Sequence, residues 1–182
     1  MDESEATSRF EELYASAYRK VLAFARQRTA NLEDAYEVVS ETFLVAWRRL
    51  EDALSADNSL AWLYGVAYRV LANQRRQQRR QGRLEARIEA QADIGIQSLT
   101  PRGLEDREIL AEVTRILDEL PTKYQEVLRL TAYQDCSPAE IASILQVHPS
   151  VARTRLYRAR LRLRRILDKR QPGWGVVLEE SE

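Results

Sequence analysis

Arg153, Arg155, Tyr157, Arg158, Arg160, Arg162, Arg164 and Arg165 lie opposite an apolar stripe formed by Ala152, Leu156, Ala159, Leu163, Ile166 and Leu167. Such a face suits nucleic acid, because an α-helix fits the major groove and guanidiniums reach both base edges and phosphates. A solvated surface helix is the ordinary explanation of a charge run, but it relies on acidic neighbours three or four residues away. From Pro149 to Arg170 there are nine Lys or Arg and a single acid, Asp168. Salt bridging within the helix therefore does not explain the run, and the pattern predicts DNA binding. A second basic block, NQRRQQRR at residues 73–80, offers further arginines for phosphates.

Other chemistry is poorly supplied. Cys136 is the only cysteine and His148 the only histidine, so one chain can build neither a disulfide nor a conventional Cys/His zinc site. No catalytic carboxylate cluster or nucleophile–base pair stands out on a predicted common face, so an enzyme, such as a nuclease, is not expected. Neither metal nor cofactor is called for.

The arginine helix needs a partner helix and a turn, and SPAEIASILQVHP supplies both. Ser137 and Glu140 have capping-box spacing, and Pro138 falls at the first helical position, where its missing N–H costs nothing. Ile141 and Leu145 give the helix an inner face. Gln146, Val147, His148 and Pro149 form the turn, since proline disfavours the α conformation before it and suits the start of the next helix.

Upstream, a capping box at Ser8 and Glu11 predicts a helix with Phe10, Leu13, Tyr14, Ala17, Val21, Leu22 and Ala25 on one face. Asn31 caps a second helix, which Asp34 favours electrostatically and in which Ala35, Val38, Val39, Ala46, Trp47 and Leu50 face inward. Residues 51–58 read as a polar loop. Ser59 caps a third helix, with Leu60, Leu63, Tyr64, Ala67, Val70 and Leu71 inward, which continues into the basic block. Gly82, Gly95, Pro101 and Gly103 punctuate a polar stretch, although RLEARIEAQA has some helical character. A further helix built on Ile109, Leu110, Val113, Ile116, Leu117 and Leu120 precedes Pro121, and Tyr124, Val127, Leu128 and Leu130 mark the next.

The fold class is all-α, with an N-terminal domain at 1–81, a flexible linker at 82–104, a four-helix domain containing the helix-turn-helix at 105–170, and a tail at 171–182. Trp174, Val176 and Val177 in that tail have no helical period. The net charge of zero hides an alternation. Residues 1–60 carry seven basic and twelve acidic side chains, 61–88 seven and one, 89–148 five and eleven, 149–170 nine and one, and 171–182 none and three. Local potentials, not the total, describe the expected partners. The acidic N-terminus lacks the apolar core of a signal peptide, and no apolar run approaches the roughly 20 residues of a membrane span, so a cytoplasmic protein without membrane insertion is expected.

The stretches DAYEVVSETFLVAWRRL, AWLYGVAYRVLANQRRQQRR and LDELPTKYQEVLRLTAYQDCSPAEIASILQVHPSVARTRLYRARLRL, in that order across most of residues 8–170, resemble the extracytoplasmic-function (ECF) sigma factors of bacterial RNA polymerase. The resemblance implies two helical domains on a linker, no enzyme activity of the subunit alone, and promoter recognition as part of a holoenzyme. The partners it implies are core RNA polymerase, through the β′ clamp helices and the β flap, double-stranded and locally melted promoter DNA, and an anti-sigma protein.

It also assigns residues. Asp34, Glu37, Val38, Glu41, Thr42, Phe43 and Trp47 match the segment that docks on the clamp helices. Ser55, Asp57 and Asn58, with Asn73, Arg75, Arg76, Arg79 and Arg80, match the −10 element segment. Ser150, Arg153, Thr154, Tyr157 and Arg158 match the −35 readers, with Arg153 the candidate for a bidentate guanine contact. Departures from the family pattern are His148 for a capping serine, Gln146 for a turn glycine, Tyr36 for an acid, and Arg69 and Asn73 for asparagine and aspartate; they leave base preference open. The other reading is a stand-alone helix-turn-helix transcriptional regulator with an N-terminal sensing domain. Binding to core polymerase separates the two.

Overall fold

The computed structural model describes residues 2–85 and 115–170 and contains no strand among them. The chain divides into two compact units, within Met1–Ser98 and Leu99–Glu182. No helix among the described residues is long and apolar enough to cross a membrane. Beyond Glu85, the rest of RLEARIEAQA, the start of the helix at 109, most of the linker and the tail lie outside the described residues.

The first unit holds α1 (Glu3–Arg26), α2 (Leu32–Arg48), α3 (Leu50–Ser55) and α4 (Ser59–Glu85). α1, α2 and α4 pack pairwise around Val21, Phe24, Val38, Leu63 and Ala67, all fully buried. Phe24 and Tyr64 stack with ring centroids 4.9 Å apart. The inward faces read from sequence hold except at Tyr14 and Trp47, which are exposed, and four boundaries change. α1 begins at Glu3, because Asp2 Oδ1 accepts the Glu5 N–H at 2.7 Å and Glu3 and Glu5 favour the positive helix end. Ser8 is thus inside the helix and its box with Glu11 is not a start. Residues 50–55 form a short helix where a loop was expected, since Leu50 and Ala53, one turn apart, are both buried. The cap of α4 is Asn58, not Ser59: its Oδ1 accepts from the Leu60 and Ala61 N–H groups at 3.0 and 3.2 Å. α4 then continues past residue 81 to Glu85, so the first four residues assigned to the linker are helical.

In the second unit, a helical segment at 115–118 precedes α5 (Thr122–Ala132), α6 (Pro138–Leu145) and α7 (Pro149–Arg170). Ile116, Leu130, Ile141 and Ile144 are fully buried here, joined by Ala152, Leu156, Ala159 and Leu167 from the stripe of α7. The capping box forms as expected: Ser137 Oγ accepts from the Glu140 N–H at 3.3 Å, and Glu140 Oε2 accepts from the Ser137 N–H at 2.7 Å. α6 ends at Gln146 in the left-handed region, φ 52°, while the Val147 N–H reaches back to the Ala142 carbonyl at 3.0 Å. This is a Schellman stop made without glycine. His148 replaces the serine cap functionally, its Nδ1 accepting from the Ser150 N–H at 3.3 Å and lying 2.8 Å from Ser150 Oγ.

Candidate nucleic-acid interface

The helix-turn-helix presents α7 with Ser150, Arg153, Thr154, Tyr157 and Arg158 all exposed; Tyr157 is 66% exposed, the most open of the large apolar or aromatic side chains described. The stripe that buries Ala152, Leu156 and Ala159 turns these five outward together. Thr154 Oγ1 donates to the Ser150 carbonyl at 2.8 Å, which holds the side chain in place and leaves its lone pairs open. Arg162 lies over the Tyr124 ring, 5.0 Å from its centroid, and Arg170 pairs with Glu119. The rest of the outer face is cationic and solvated, so it can attract phosphates along its whole length.

In the first unit the basic continuation of α4 is sorted by contact. Arg79 and Arg80 are exposed. Arg76 donates to Asn73 Oδ1, tying those two side chains together. Arg75 turns toward the protein, and its Nη2 donates to the Arg28 carbonyl at 3.2 Å, near the end of α1. Before α4, Ser55 and Asp57 are exposed, whereas the Asn58 side-chain oxygen is engaged in the cap and shapes the loop. Sequence reasoning passed over the neighbouring cations here. Arg49 bonds Asp52 through Nε at 2.7 Å and lies 5.8 Å from the Trp62 ring. Arg69 is half-buried, and burial, then the Arg49 charge, lower its guanidinium from the ordinary value. Arg69 gave no signal of this in the sequence, because at 100° per residue it falls opposite the Leu60–Leu71 stripe.

The α2 segment divides between surface and interior. Glu37 and Glu41 are exposed, and Asp34 is partly exposed with Oδ2 3.1 Å from Asn31 Nδ2. Val38, Thr42 and Phe43 are buried, with Thr42 Oγ1 donating to the Val38 carbonyl at 2.6 Å. These three side chains lie beneath the exposed face of α2. Trp47 remains 43% exposed, with its ring edge-on to Phe10 at 5.1 Å. It borders an open groove of about 360 Å³ shared with Tyr14, Tyr18, Tyr36 and Leu44.

Comparison with known proteins matches the same two units. Residues 13–81 match the Sigma-70 region 2 family model, and residues 110–163 match Sigma-70, region 4. The RNA polymerase sigma factor YlaC of Bacillus subtilis (strain 168) is 31% identical over 163 residues, covering 87% of this chain and 92% of YlaC. The chain belongs to the ECF sigma factors of the sigma-70 family. The RNA polymerase sigma factor HrpL of Pseudomonas syringae pv. syringae is 27% identical to this sigma factor, with 86% of each chain covered. Among solved structures, CnrH in complex with the cytosolic domain of CnrY is 25% identical, covers 89% of each chain and has a TM-score of 0.57. RpoE in complex with the anti-sigma factor NepR from Bartonella quintana shares the fold, with a TM-score of 0.72 at 20% identity over 89% of this sigma factor and 98% of that chain.

Proposed function

We propose that this sigma factor acts in the cytoplasm by binding core RNA polymerase and carrying it to promoters, with no catalytic chemistry of its own. The exposed acids Glu37 and Glu41, with Asp34 and Trp47, dock on the β′ clamp helices, and the second unit engages the β flap. Arg76, Arg79 and Arg80 hold the backbone near the −10 element while the loop around Ser55, Asp57 and Asn58 receives an extruded base. Opening one base pair costs a few kcal/mol, which divides sensibly between a pocket and nearby cations. Arg153, with Ser150, Thr154, Tyr157 and Arg158, reads the −35 element in the major groove. The observation that carries this reading is the outward face of α7, five candidate readers held together on a buried stripe. An anti-sigma protein is a further partner, supported by the solved complexes of RpoE and CnrH.

Reconstituted run-off transcription on genomic fragments tests the proposal. The chain with core enzyme should yield promoter-dependent products, and inserting about 5 bp between the two elements, half a helical turn, should nearly abolish them. No promoter-dependent product, together with no binding to core enzyme, would falsify it.

A further inference from the structure

The second unit gathers cations from two helices around one groove. Lys123, at the second position of α5, sits 5.2 Å from the Tyr124 ring centroid, and Arg162 of α7 shares that ring at 5.0 Å. Beside them an open groove of about 300 Å³ is lined by Lys123, Ser150, Thr154, Arg155 and Arg158, together with Tyr124 and Val151. Among the described residues no carboxylate lines it. The acids just before α5 are engaged elsewhere: Asp118 pairs with Arg129 at 3.0 Å, and Glu119 pairs with Arg170. Like charges brought together without an acid repel, and an anion seated among them relieves the repulsion. The guanidiniums of Arg155 and Arg158 and the ammonium of Lys123 are the donor set of a phosphate contact, since the Thr154 hydroxyl already donates to the Ser150 carbonyl.

We infer that this groove seats a backbone phosphate of duplex DNA beside the −35 element, with Lys123 as the anchoring cation. The inference rests on α7 being the DNA-reading helix. Thr154 and Arg158 border both the groove and the base-reading face, so a duplex on that face brings its backbone across the groove. A phosphate gripped from α5 and α7 at once fixes the angle at which α7 enters the duplex, which contacts from α7 alone would leave free to pivot.

The test is binding of the full-length chain to −35 duplexes and their single-base variants as salt is raised. Lys123→Met keeps the alkyl stem on Tyr124 and removes the charge; Lys123→Gln serves as a second variant, with unfolding midpoints checked for both. Removing one phosphate contact lowers the magnitude of the salt slope by about 0.9, so the affinity gap to wild type should narrow about 3.5-fold between 50 and 200 mM salt. The gap should be equal on every duplex, and Lys123→Arg should close it. An unchanged slope, a loss confined to one base variant, or no duplex binding by the wild-type chain would each overturn the phosphate seat. A reduced slope alongside absent promoter-dependent transcription would instead retain the seat and refute the sigma-factor reading.

Discussion

Replacing Arg153 with alanine isolates base reading from folding. The Arg153 side chain is exposed and makes no hydrogen bond or ion pair with the described residues, while its neighbour Ala152 carries the packing. Truncation therefore opens no cavity and leaves no buried partner, and stability should move by less than about 0.5 kcal/mol. Binding should change much more. A bidentate arginine–guanine contact contributes about 1–3 kcal/mol of discrimination, so affinity for the preferred −35 sequence should fall about 5- to 150-fold. Variants already altered at the contacted base pair should lose far less, because there the contact is already missing. Arg160→Ala, two turns further along an equally exposed face, removes charge alone and should weaken all sequences alike. Equilibrium binding to a panel of single-base variants, paired with thermal unfolding of each protein, makes the comparison. If Arg153→Ala lowers affinity equally across the panel, Arg153 is a phosphate contact and the base-reading assignment is wrong.

Asn58→Ala should cost about 1 kcal/mol in denaturant unfolding of the first unit, whereas Ser59→Ala should cost less than half of that, since the cap belongs to Asn58. Gln146→Gly should stabilise the second unit by about 0.5–1 kcal/mol through relief of its left-handed backbone, read by hydrogen exchange in α6. Reversing both exposed acids, Glu37→Lys with Glu41→Lys, should leave the fold intact yet weaken binding to core polymerase, most strongly at low salt; equal binding at all salt concentrations would remove them from the docking face.

The helix-turn-helix was legible because its determinants are local: the Ser137–Glu140 box, Pro149 and the Ala152–Leu167 stripe lie within a few turns of one another. α3 was not, because six residues show barely one helical period and its existence depends on Leu50 and Ala53 finding the core. The Ser8 box misled because a cap motif acts only where a helix has reason to begin, and Asp2 begins α1 earlier. Val38, Thr42 and Phe43 illustrate another limit: matching a family segment does not separate its exposed side chains from the buried ones beneath them. Lys123 was hidden because its relation to Arg155 and Arg158 exists only where α5 lies against α7.

The bond from Arg75 to the Arg28 carbonyl has a mechanical consequence. α4 is 27 residues long, about 40 Å, and Leu71 is the last buried residue among those whose burial is described, so residues 72–80 form a cantilever. A bend of about 10° at Leu71 would displace Arg80, about 13 Å further out, by roughly 2 Å, enough to lose a hydrogen bond to a fixed acceptor. Arg75 braces the beam one turn beyond its support, against the end of α1, and so shortens the free span. Its guanidinium thus sets the aim of Arg79 and Arg80, and a variant lacking it would keep both of those cations yet deliver them with less accuracy.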